Sequence, residues 1–183
     1  MLRSLLISLR RFRARKEGAT AVEFALIAPV LFLLIFGTIE TGVIYMAGSS
    51  LQIATDNAAR LVRTGQVQLQ GLSQANFRTK LCSKLAPLVP CDNNLQIDVQ
   101  TFTSYNTASF GNPLTAQGNL DPSLNRFAPG TACSVVLLRA FYVWPVTTPV
   151  LTPFLKNMSN NSHLLVATAA FRNEPFTSAV TGC

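Results

Sequence analysis

Glu23 is a carboxylate set in an apolar stretch, five residues after Gly18 and immediately before Phe24. Residues 24–39 carry no charge, and neither do residues 41–55. A carboxylate in such surroundings is costly and calls for a cationic partner. Cleavage of the peptide bond after Gly18 would create one, because the new terminus at Ala19 is an amine about one helical turn from Glu23. Glu23 of one subunit could then pair with the amine of a neighbour, offsetting a desolvation cost that neither charge bears alone. The pair would also set the axial register of packed helices. Glycine before the cut lets a protease approach the backbone closely. The small residues Ala19, Ala21, Ala25 and Ala28 permit close helix contact. A second carboxylate, Glu40, lies about 21 residues beyond Ala19, or roughly 31 Å along a helix. That is the far interface of a bilayer, where Glu40 is either a solvated interfacial group or an assembly contact.

Other chemistry is sparse. His163 is the single histidine and lies in the polar segment Asn160-Asn161-Ser162-His163. A hydrolytic triad needs a nucleophile, a base and an orienting acid, and no nucleophile elbow is present. The chain lacks the Cys/His clustering of a zinc site and a phosphate-binding glycine loop. The expectation is no enzyme, no metal and no cofactor. Cys82, Cys91, Cys133 and Cys183 have no two-residue spacing. All four follow the apolar stretch, so with a cytoplasmic leader they face an oxidising compartment where disulfides persist. Three pairings are open. Cys82–Cys91 would close a short loop around Pro87 and Pro90, leaving Cys133–Cys183 to tie the C-terminus to an inner strand. The alternative is one disulfide and two free thiols.

The element that must position Glu23 is a membrane helix. A bilayer core takes roughly 20 apolar residues, and the segment from Ala19 to about Tyr45 exceeds that. Residues 1–18 hold six basic side chains against Glu17, a net +5 out of the total of +7. The high charge therefore describes a leader and not the body. A basic cluster beside an apolar helix fits the positive-inside rule, and nucleic acid is not an expected partner. A cleaved secretory signal fits poorly, since the apolar stretch is long and the sites near Gly37 and Ala47 are weak. Pro29 removes a donor to the carbonyl of Ala25 and predicts a kink or local loosening. The expected organisation is a basic cytoplasmic leader over 1–18, a transmembrane helix over 19–47 and an extracytoplasmic domain over 48–183.

The run Arg15-Lys16-Glu17-Gly18-Ala19-Thr20-Ala21-Val22-Glu23-Phe24 resembles a type IV prepilin processing motif. More narrowly, Gly18 to Pro29 resembles the TadE-like family of tight-adherence pilus assembly proteins, pseudopilins or minor pilins. Glu40-Thr41-Gly42, Ala58-Ala59-Arg60 and Arg172-Asn173-Glu174-Pro175 extend the likeness weakly towards the C-terminus. The resemblance implies processing between Gly18 and Ala19 by a prepilin peptidase, with Glu23, Phe24 and Glu40 serving assembly. It implies as partners the major pilin, other minor pilins, the inner-membrane assembly platform and the lipid bilayer. It places the protein in a bacterial inner membrane, N-terminus cytoplasmic, with possible passage into an extracellular pilus. An unprocessed membrane-anchored accessory protein, or an unrelated periplasmic binding module, are the alternatives.

The implied fold is α+β and pilin-like, a long N-terminal helix on about three antiparallel strands. Leu51, Ala54, Ala58, Leu61 and Val62 recur at helical spacing, and Gly65 is a plausible stop. Gly48 and Ser49 mark a soft point. Ser73 to Leu85 reads as a second helix with Ser73 as N-cap. In 95–101, Leu95, Ile97 and Val99 face one way and Gln96, Asp98 and Gln100 the other, a half-buried strand. Residues 133–144 and 164–172 read as two more strands, with a loop region over 103–131 that is longer than usual. Arg172 and Glu174, two residues apart, could pair on one strand face.

Overall fold

A computed structural model describes residues 18–177 and 182–183. The basic leader, except for Gly18, lies outside the described residues. The chain divides into two compact units, Met1–Glu40 and Thr41–Cys183.

In the first unit the described residues are helical from Ala19, the start of α1 (Ala19–Arg63). Nearly every large side chain between Val22 and Ile39 is exposed. The helix continues through Pro29. The ring of Phe32 stacks on that of Phe36 one turn on, with centroids 6.1 Å apart.

In the second unit α1 changes character. Ile44, Ala47, Leu51, Ala54, Ala58 and Val62 are buried, a three-to-four-residue period that presents one stripe to a sheet. The sheet has three antiparallel strands in the order β1 (Leu95–Phe102), β2 (Val135–Pro145), β3 (Ser162–Arg172). Leu95, Ile97 and Val99 of β1 join Val136, Leu138 and Ala140 of β2 in one core with the helix stripe. Gly48 lies within the helix, and a side chain there would touch Leu165 of β3. That contact, at 3.7 Å, is an ordinary one, and the expected soft point is unbroken helix. After Arg63, Gly65 takes a left-handed conformation, with φ 75°. A short helix α2 (Gln66–Leu69) follows, then α3 (Gln74–Cys82). Ser73 caps α3 by accepting from the Asn76 amide at 3.3 Å, and Phe77 and Leu81 bury its inner face.

The long region after β1 is not a free loop. Leu114, Leu120 and Leu124 pack with Phe141, Met158 and Leu164 on the sheet face opposite the helix. This explains why Val135 through Tyr142 are all buried: β2 is covered on both faces. The same region lines the outer edge of β1, where the Val99 amide donates to the Arg126 carbonyl and the Ala128 amide to the Val99 carbonyl, each at 2.9 Å. On the far edge, Gln52 of α1 both donates to the Thr168 carbonyl and accepts from the Thr168 amide at 3.3 Å. Both sheet edges thus carry partners, which guards them against pairing with another chain. Between β2 and β3 lies α4 (Thr152–Leu155).

Candidate functional site

Gly18 is exposed at the head of α1, and a Cβ placed there would meet nothing within 4 Å. The backbone on that side is open. Glu23 follows one turn into the helix and is exposed, as is Phe24 at 61%. Glu40 is 17 residues further, about 25 Å along the axis and roughly 100° around it from Glu23. The two carboxylates therefore address different faces of the helix. No single neighbouring helix packed along one face serves both.

In the body the sites divide differently. The cysteines form two disulfides, Cys82–Cys91 and Cys133–Cys183, with Cα separations of 5.7 and 5.3 Å. The first joins the end of α3 to the approach to β1. The second ties residue 183 to the turn before β2. Arg172 and Glu174 do not make the expected pair. Glu174 lies beyond the end of β3, so strand alternation does not govern it, and its Oε1 accepts from Arg63 Nε at 3.1 Å. Its amide also donates to the Arg63 carbonyl at 2.9 Å, satisfying one of the open carbonyls at the helix end. Arg172 donates instead to the Cys183 carbonyl at 2.9 Å. The buried member of the Arg-Asn-Glu-Pro segment is the one between them. Asn173 Nδ2 donates to the Pro129 and Thr131 carbonyls, both at 2.9 Å.

The densest polar cluster centres on Asp98, which is fully buried. Its carboxylate accepts from Arg139 Nη2 at 3.0 Å and from Arg126 Nε at 3.0 Å. Gln100 adds a further hydrogen bond. Burial by itself pushes the Asp98 carboxyl up, but donors from Arg126, Gln100 and Arg139 together outweigh it and hold the group below the usual carboxylate range. Arg139 also donates to the Gly111 carbonyl and lies over the Phe141 ring. The cluster clamps the long loop to the sheet. Its only sequence signal is the presence of Arg126 in a region otherwise poor in charge. Among the described residues, no group of three or more His, Cys, Asp or Glu could hold a metal ion.

Fold and N-terminal segment together define a class: an α+β body joined, among the described residues, to one helix long and apolar enough to cross a membrane. The family model described as TadE-like protein matches residues 18–60. The match opens on Gly18 and runs along α1 to Arg60, under a quarter of the chain, and over that segment the chain is similar to the family. No curated protein and no solved structure matches the chain.

Proposed function

We propose that this protein is a minor pilin or pseudopilin of a tight-adherence pilus system, working through helix packing. The observation that carries the reading is the family match beginning at Gly18, with exposed Glu23 one turn into an apolar helix. In this reading residues 1–18 remain cytoplasmic and the body lies outside the cytoplasm; the helix from Ala19 to about Glu40 spans the inner membrane, shorter than the expected 19–47 because Ile44 and Ala47 are buried in the body. A prepilin peptidase cuts between Gly18 and Ala19. Glu23 then receives the new amine of an adjacent subunit, an ion pair that is favourable in lipid only when both members are present. Pro29 adapts the helix to its neighbours, and Glu40 meets the outer interface or an adjoining subunit. The disulfides suit the oxidising side of the membrane. The assembly platform, the major pilin and other minor pilins are the partners this reading calls for.

The test is the intact mass of the protein recovered from membranes that contain the cognate peptidase. Loss of residues 1–18 is the expected result. Retention of Met1 in protein competent for pilus formation overturns the reading and favours an unprocessed accessory protein. Presence of the chain in sheared surface filaments would argue against an unrelated binding module.

A further inference from the structure

The end of the body at which α1 enters carries an apolar tip that the core does not use. Gly48 of α1 abuts Leu165, Gln52 bonds Thr168, and Arg63 bonds Glu174. Helix and β3 therefore run in the same direction, and the start of β3 is level with the first helix turns of the body. Trp144 pairs with His163 across β2 and β3, so the β2–β3 connection lies at this same end. It holds Pro149, Val150, Pro153 and the single turn α4. His163 Nδ1 contacts the Leu155 carbonyl, and Leu155 packs against the core. Val150 and Phe154 of the same connection are exposed. Phe154 is 83% exposed, more than any other large apolar side chain among the described residues, those of the apolar N-terminal helix included. Tyr45, on α1 at the same end, is 79% exposed.

Charge points to what covers the tip. No Asp or Glu occurs between Asp121 and Glu174, and Lys156 follows the tip directly. Across the sheet, Asp92 precedes β1 and accepts hydrogen bonds from Asn94. The chain enters the body at Thr41, so in the membrane-anchored reading this is the end joined to the span. An apolar pair with a lysine two residues on, at the same end of the body as an exposed tyrosine, has the composition of an interfacial membrane contact.

We propose that the β2–β3 tip is a second membrane contact, with Val150 and Phe154 set into the headgroup region of the outer leaflet and Lys156 facing anionic headgroups. The inference rests on the membrane-anchored reading above. It gives the body a fixed stance on the bilayer before assembly, and the tip must leave the lipid when the subunit is extracted.

The test places one indole at the tip, by Phe154→Trp in a Trp144→Phe background, with Val150→Trp as a second probe should the first perturb α4. The full chain is reconstituted in phosphatidylcholine–phosphatidylglycerol vesicles whose phosphatidylcholine is brominated in its upper acyl chain. Ile35→Trp in the same background reports on the anchor. The expected result is blue-shifted tip emission reduced by about half, as for an apolar face sunk roughly 5–10 Å into the boundary. Water-like, unquenched tip emission beside a quenched Ile35→Trp probe overturns the tip contact and leaves the anchor standing. Blue-shifted but unquenched tip emission means that another protein chain covers the tip, and also overturns it. Absence of quenching at both positions removes the anchor and the tip contact together.

Discussion

Arg139 of β2 stands opposite Asp98 of β1 in the strand register, and its guanidinium donates to that carboxylate at 3.0 Å with both side chains sealed from solvent. Arg126 reaches the same carboxylate from the covering loop, half exposed. The exposed pair Arg63–Glu174 contributes at most about 1 kcal/mol, whereas the sealed pair is asymmetric. Both charges together are tolerated, and either one alone is not. Asp98→Asn leaves Arg139 charged and short of its counter-ion, at an expected cost of about 3–5 kcal/mol. Denaturant unfolding of the full chain in detergent measures it. The double change Asp98→Leu with Arg139→Met should recover much of the loss. A double variant as unstable as the sum of its singles contradicts this account.

The same carboxylate dictates a pH dependence. Its folded-state pKa is lowered, chiefly because the donors from Arg126, Gln100 and Arg139 overcome burial. In the window below the unfolded value of about 3.9, the unfolded chain therefore binds more protons than the folded one, and stability rises with pH there. The contribution is complete above that value and disappears as pH falls through the folded pKa. Asp121, part-exposed and held low first by the Ser123 amide, acts in the same direction. Melting curves from pH 7 down to 3 should be flat and then fall, and Asp98→Asn should shallow the fall. A melting temperature that climbs on acidification contradicts the assignment.

How far these features were legible depends on the range of the interaction behind them. The helix of residues 51–62, the alternation of Leu95, Ile97 and Val99, and the stop at Gly65 are local patterns, and the structure has them. Asp98 follows the same alternation, and a polar residue on the outward face of a strand reads as solvated. It is buried because residues 103–131 fold across that face, an event decided by contacts such as Leu124 on Phe141. Asn173 was hidden similarly. The charges of Arg172 and Glu174 draw the eye, while the amide between them holds the carbonyls of Pro129 and Thr131.

Gly65 is a position where one added methyl group meets both an unfavourable backbone conformation and a collision. Its φ of 75° is unfavourable for any residue with a Cβ, and an added Cβ collides with the ring of Phe176. The segment from Glu174 to Phe176 wraps the end of α1, so the collision cannot be relieved without loosening that wrap. Gly65→Ala should cost about 1–3 kcal/mol, and Gly65→Ala with Phe176→Ala should recover the steric share only. Thermal unfolding of the three variants decides it. Equal stability of Gly65→Ala and wild type excludes the clash.

The two disulfides should differ in worth. A link removes more freedom from the unfolded chain as its loop grows. The bridged residues are separated by 9 positions in Cys82–Cys91 and by 50 in Cys133–Cys183. By the chain-entropy relation the first contributes about 2.6 kcal/mol and the second about 4.1 kcal/mol. Paired Cys→Ser variants, unfolded in denaturant without reductant, should preserve that order. A larger loss for the short loop would mean that Cys82–Cys91 acts through native packing around α3.

Glu23 separates assembly from folding most cleanly. It is exposed in the single chain, so the body's packing does not depend on it. In the proposed filament it is desolvated beside a neighbour's amine, and removing one member of such a pair costs about 3–5 kcal/mol. Glu23→Ala should therefore insert, form both disulfides and melt as wild type does, yet fail to enter filaments. Glu23→Gln keeps the size and loses the charge, and should fail equally if charge pairing is the mechanism. Glu40→Ala addresses another face of the helix, roughly 100° away, and should leave the amine contact intact. Filament yield after shearing, compared among the three variants at equal membrane abundance, reads the difference. Normal yield from Glu23→Gln would show that shape, and not the ion pair, carries the register.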